Sequence, residues 1–293
     1  MAGEVGSAME KSGLVNGCKP QLKPGFRLWL VCCLSLIATI CFLVPPHMVQ
    51  AQAGKPWEEY VANNNSKSAL KILFIGHSKM YINNMPKMFA YFAQQKAGAQ
   101  PLKIYSVFGD AYSLQTHWQA GLARKAIKEQ GPWDYVVLIE KSGLPESRRD
   151  IYGNYLALFD REIKAVHART VLMENYTTPN NYDNMHSTMQ SFKTLYKAFL
   201  MPVGTAFQAA YKEHPDISLL QSDAHHPNPK GTYLMACTCY AFFLRRNPCD
   251  LPAELYAIDD NDNTVNIFAN DGESRALQRI AWQTVSSLWG KAR

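Results

Sequence analysis

Short apolar runs alternate with longer amphipathic segments along most of this chain, and few architectures can bury that pattern. "LKILFIG" (70–76), "LKIYSVF" (102–108), "DYVVLIE" (134–140), "RTVLMEN" (169–175) and "DISLLQS" (216–222) read as strands. "MPKMFAYFAQQKAG" (85–98), "LQTHWQAGLARKAIKEQ" (114–130) and "DIYGNYLALFDREIKAVHA" (150–168) read as helices, with Pro86 in a first turn and Gly153 as a weak point. Most of 184–213, then "GTYLMACTCYAFFLRR" (231–246), then a stretch near 273–290 continue the helical pattern. An acidic, Asn-rich loop (258–272) precedes the last of these. Strand followed by helix, repeated, predicts crossover units: an α/β domain with a parallel sheet of about five strands, covered on both faces. Runs such as "VVLI" lack polar alternation, as strands buried on both sides require. One such domain accounts for residues 70–293, and the polar stretch 54–69 is expected to be a mobile lead-in.

The first 53 residues differ from the rest. Lys19, Lys23 and Arg27 precede a 17-residue apolar run at 28–44, and Ala51-Gln52-Ala53 follows as an A-x-A cleavage pattern. This is expected to be a signal peptide, releasing a secreted or periplasmic protein from Gly54. The alternative is an uncleaved signal anchor, since the run is near the lower limit for a spanning helix. The membrane is a partner only if that segment is retained. In both cases the domain lies outside the cytoplasm.

Composition narrows function mainly by exclusion. A formal charge of +6, with no dense Lys/Arg block interleaved with aromatics, argues against nucleic-acid binding. Four of the seven cysteines lie in the leader. Cys237 and Cys239, two apart on a helix, point to different sides and are expected as buried apolar residues. Either of them pairing with Cys249 stays open. No CxxC or HExxH spacing calls for a metal, and no cofactor motif follows the first strand, which lacks both GxGxxG and GxxxxGK[ST].

In a parallel sheet, ligands sit at the carboxyl ends of the strands. After the first strand comes "GHSKMY", which places Ser78 where strand becomes loop and turn N–H groups converge. A Gly-x-Ser turn is also an ordinary helix cap. After the fifth expected strand comes "DAHHPNPKG" (223–231). An Asp three residues before a His can hold one ring nitrogen and leave the other free to take a proton. Asp223 and His226 have that spacing, and a serine is a poor nucleophile until such a base reaches it. His225 reads as facing solvent or substrate, and a metal site shared by these histidines with His77 is the weaker alternative.

"ILFIGHSKMYINNMPKMF", "WDYVVLIEKSG" and "DAHHPNPKGTYLMACTCYAF", in this order, resemble blocks of the SGNH (GDSL-type) hydrolase superfamily, bacterial secreted members in particular. The resemblance implies a flavodoxin-like three-layer α/β/α sandwich and a serine esterase, with Ser78 as nucleophile, His226 as general base and Asp223 as the acid orienting it. It implies no cofactor, and a small ester or acylated glycan as substrate, with acetyl groups on carbohydrate the expected class. The oxyanion donors are less regular. Gly109 is available in "VFGDAYSLQTHW", but the usual register falls on Asp110 or Ala111. Ile139 and Lys141 replace the amides usual in the third block, so Asn175, or Lys141, is the substitute donor. Lys79, Tyr81 and Trp118 are candidate substrate contacts. A second reading of the altered blocks is a catalytically changed SGNH-like protein that binds glycan in an envelope polysaccharide system.

Overall fold

The computed structural model describes residues 58–62, 69–95, 101–176, 179–253, 268 and 271–290. The leader, its apolar run and the A-x-A pattern lie outside them, as does most of the acidic loop. Among the described residues, no helix is long and apolar enough to cross a membrane.

The strands are β1 (Glu58–Ala62), β2 (Leu70–Gly76), β3 (Leu102–Phe108), β4 (Tyr135–Leu138), β5 (Arg169–Met173) and β6 (Phe199–Met201). They form one sheet in the order β1-β3-β2-β4-β5-β6. All neighbours from β3 to β6 are parallel, whereas β1 runs antiparallel to β3 at the edge. The five parallel strands have the flavodoxin-like order, which reverses between β2 and β4. That crevice is where a ligand site is expected.

Helices cover both faces. On one side lie α2 (Met85–Gln94), α8 (Val203–Glu213), α9 (Pro229–Leu244) and α10 (Asp271–Gly290). The other carries α3 (Leu114–Ala120), α4 (Leu122–Glu129), α6 (Arg149–Ala165) and α7 (Pro179–Tyr196). Two one-turn helices, α1 (Ser78–Tyr81) and α5 (Leu144–Ser147), follow β2 and β4. Strand residues alternate between the two cores. Ile72, Phe74, Val137 and Met173 face the first, and Leu73, Ile75, Val136 and Leu172 the second. Period-two alternation with both sides apolar is why these runs carry no polar pattern.

Four elements differ from expectation. Glu58–Ala62, in the segment expected as a lead-in, is edge strand β1, with Glu58 opposite Ser106. The segment 216–222 is not a strand beyond an isolated bridge, Leu220 to Pro227. Its carbonyls are taken by the next turn: Asn228 Nδ2 donates to Ser218 and Leu220, and Asn228 N–H to Leu219. The fifth parallel strand is instead β6, inside the stretch expected to be helical. Lys197, at φ 50°, ends α7 just before it, and Pro202 follows it. The helix expected over 114–130 also divides at Gly121, whose φ of 81° suits a residue without Cβ.

Candidate active site

Ser78 is placed by the tight exit from β2. A Cβ on Gly76 would collide with the Ile139 and Met80 side chains, so glycine lets them pack closely against the strand end. The Gly76 carbonyl is fixed by two donors, Gly109 N–H at 3.1 Å and His117 Nε2 at 2.7 Å. His77 is extended and Ser78 opens α1, so the Ser78 N–H belongs to the first turn and has no intrahelical acceptor.

The acid–base half comes from the turn before α9. Gln221 N–H bonds the His226 carbonyl at 2.9 Å and Ala224 N–H the Gln221 carbonyl at 3.0 Å, closing a loop in which Ala224 is left-handed. Asp223 Oδ1 accepts from the N–H groups of His225 and His226, both at 2.9 Å. Its other oxygen, Oδ2, lies 2.6 Å from His226 Nδ1. The imidazole hydrogen bond, then the main-chain N–H groups of His226 and His225, hold the Asp223 carboxyl well below the usual carboxylate range. Asn228 caps α9 by accepting from Gly231 N–H at 3.0 Å. Gly231 is needed because a Cβ would strike the Leu219 carbonyl.

The two halves meet. His226 Nε2 lies 2.9 Å from Ser78 Oγ. With Nδ1–H donating to Asp223, Nε2 is the acceptor for the serine hydroxyl. One further tie, unread in the sequence, crosses the gap. Asn83, left-handed at φ 59°, donates its amide to the Pro227 carbonyl and Thr232 Oγ1, both at 3.0 Å. The pair "NN" at 83–84 was the available signal, because Asn is the commonest non-glycine residue to take that conformation.

Around this line the candidate residues separate. The Gly109 N–H is spent on Gly76, and a Cβ there would strike the Tyr112 ring. Ala111 is left-handed, at φ 52°, and its N–H makes no hydrogen bond to a described residue. The Asp110 carboxylate accepts from the Tyr81 hydroxyl at 3.2 Å. Asn175 Nδ2 donates to the Glu140 carbonyl at 2.5 Å, so that amide hydrogen ties the ends of β4 and β5 together. Lys79 is buried, with its ammonium on the Tyr176 carbonyl and ring rather than in solvent. Trp118 packs edge-on against Phe159 of α6 and under the Arg124 guanidinium. Tyr81 keeps a half-buried place beside Ser78, tilted against Phe108.

Three buried titratable groups support the floor. His77 Nε2 donates to the Glu140 carbonyl at 3.1 Å, and burial pulls its ring down to about 3. Burial likewise lowers His117 to about 4, so it bonds Gly76 as a neutral ring. The Glu140 carboxyl accepts from Leu114 N–H at 3.1 Å and Lys141 N–H at 2.7 Å. Burial pushes it up to about 7 against the pull of those two N–H groups, and its second oxygen has no hydrogen-bond partner among the described residues. Among the described residues, no three His, Cys, Asp or Glu converge as metal ligands. Among the described residues no disulfide joins Cys237, Cys239 or Cys249; the first two are buried and the third half-buried.

No family model matches this chain, and no curated protein matches it. Solved hydrolases do. The chain is similar to a protein described as an SGNH hydrolase from Slackia heliotrinireducens, at 23% identity over 57% of this chain and 95% of that one, with a TM-score of 0.48. It is also similar to an acetylxylan esterase from Geobacillus stearothermophilus, at 17% identity over 58% and 93% and a TM-score of 0.46. An esterase from Pseudoalteromonas gives 20% identity over 57% and 92%, with a TM-score of 0.43.

Proposed function

We propose that this protein is a serine esterase that cleaves acyl esters through an acyl-enzyme. The observation that carries this reading is the unbroken line from Ser78 Oγ to His226 Nε2, at 2.9 Å, and from His226 Nδ1 to Asp223 Oδ2, at 2.6 Å. A hydroxyl, an imidazole and a carboxylate held in that order form the general nucleophile–base–orienter arrangement. His226 takes the Ser78 proton as Oγ attacks the ester carbonyl, then returns it to the departing alcohol. Water, deprotonated by the same nitrogen, releases the acid and frees Ser78.

Developing negative charge on the carbonyl oxygen needs N–H donors. Ser78 N–H and Ala111 N–H fit that role: neither has an acceptor among the described residues, and both follow neighbouring strands, paired Gly76 to Phe108. Gly109 does not fit, because its N–H is already bonded. Tyr81 is the rim aromatic available to a substrate ring. The substrate class is an acyl ester, with acetyl on a carbohydrate as the first case to assay. That class comes from the sequence resemblance.

The committed Gly109 N–H favours one alternative, an altered protein that binds acylated glycan without cleaving it. The two readings separate in a single experiment. The esterase reading expects p-nitrophenyl acetate turnover that disappears in Ser78→Ala and His226→Ala, with fluorophosphonate labelling of wild type alone. Glycan binding unchanged by Ser78→Ala, with no labelling of wild type, would establish the binder and end the esterase reading.

A further inference from the structure

Lys79 follows Ser78 in α1, yet its side chain is buried. Its ammonium donates to the Tyr176 carbonyl at 3.1 Å and sits 3.9 Å from the centroid of the Tyr176 ring. That ring in turn stacks on Phe207 of α8, with centroids 4.3 Å apart and planes 12° apart. One cation therefore joins the turn carrying Ser78 to the chain leaving β5, and through it to α8. The chemistry of ester cleavage does not call for a lysine at that point. Burying an ammonium is costly, and an apolar side chain of similar length would fill the space without that cost. What only the cation supplies is attraction to the ring face, which strengthens when the pair is desolvated.

We propose that Lys79 is a positioning residue: its ammonium, clamped between the carbonyl and the ring of Tyr176, fixes the turn that presents Ser78, and only the charged form does so. The inference rests on the esterase reading of Ser78. Burial pulls the Lys79 ammonium down to about 7, opposed first by the Glu146 carboxylate and then by Asp223. Charged and neutral forms therefore exchange at ordinary pH. Tyr176, His77 and His225, which also face Lys79, are shifted away from that range. Burial raises the Tyr176 phenol, which the Tyr211 phenol and Asp223 push further up. Burial lowers the rings of His77 and His225. Glu140 titrates in the same range, but its carboxyl lies against Leu114 and Lys141.

The test is kcat and KM for p-nitrophenyl acetate from about pH 6 to about pH 9. Proteins compared are wild type, Lys79→Met, Lys79→Arg and, as a control for the second group, Glu140→Gln. In wild type kcat falls about tenfold above neutral pH while KM stays within about twofold, and Glu140→Gln, whatever its basal kcat, keeps the same falling limb. Lys79→Met has the low kcat at all pH values and no falling limb. Lys79→Arg, whose charge persists, keeps its kcat into the alkaline range. A wild-type limb that is flat, or that Lys79→Met shares, overturns the proposal; so does a limb that disappears in Glu140→Gln. If the Lys79 variants do not fold, the limb in wild type and Glu140→Gln decides. If fluorophosphonate labelling and turnover are both absent, it is the esterase reading that fails. The clamp is then read separately from the NMR titration of ¹³Cε-lysine. A neutral-range titration accompanied by shifts of the Tyr176 ring supports it, and every lysine titrating near ~10.4 removes it.

Discussion

The two halves of the site are built in opposite ways. Ser78 stands among buried neighbours, with His77 and Lys79 on either side of it no more than 3% exposed. It is held by the end of a central strand and by a glycine packed closely under the Ile139 and Met80 side chains. The Asp223 and His226 side chains are 45% and 25% exposed, on a turn with no strand behind it. What fixes them is a set of hydrogen bonds: Asp223 to two main-chain N–H groups, Asn228 to two carbonyls, and Asn83 across the gap. Packing makes the nucleophile half stiff whatever the solvent contains. The acid–base half keeps its shape only while its polar groups stay paired and Asp223 stays ionised.

The largest expected effect treats both halves alike. Ser78→Ala and His226→Ala should each lower ester turnover by ~10⁴-fold or more, and the double variant should lose no more than either alone. Multiplying losses would show that the residues do not act as a unit. Asp223→Asn then separates the halves. Turnover should fall roughly 10⁴-fold, because an amide cannot accept from the imidazole in the same way. Fluorophosphonate labelling should slow in parallel, while urea unfolding moves little because the group is at the surface. A stability loss rivalling that of a core substitution would contradict the contrast between the halves.

Next comes Asn228→Ala, which removes a helix cap and two carbonyl partners. It should cost about 1–2 kcal/mol in urea unfolding and lower kcat more than KM, since His226 loses its fixed position. The last effect, seen only as a slope against pH, concerns the buried half. Burial raises Glu140 from 4.5 to about 7, so the native state holds the proton more tightly than the unfolded chain. Its contribution is full below the unfolded value and is lost as pH rises through that window, on the order of 3 kcal/mol in all. Glu140→Gln should remove that slope from the unfolding free energy, and a slope unchanged by the substitution would count against the assignment.

Much of the buried half could be read from the chain because its signals are local. "LKILFIG" ends in a glycine at a strand end, and the serine follows two residues on. The Asp223–His226 spacing was legible for the same reason. What escaped depended on partners distant in sequence. The segment at 216–222 has strand composition, but Asn228 takes its carbonyls. β6 is three residues between a left-handed lysine and a proline, too short for periodicity to show. Lys79 reads as a substrate contact until Tyr176 is seen above it. Trp118 reads as a sugar platform until Phe159 and Arg124 occupy its faces. Gly109 reads as an oxyanion donor until the Gly76 carbonyl claims its N–H. The chain states what each residue can do, and the crossing partners decide what it has left to do it with.

The line from Ser78 to His226 joins residues 148 positions apart. During synthesis the serine leaves the ribosome early and the histidine late, with four of the five parallel strands emerging between them. A chain that stops before the turn at 223–226 carries Ser78 without His226 or Asp223. The contact between Ser78 and His226 is therefore one that no N-terminal portion of the chain can make before the turn ahead of α9 has been synthesised.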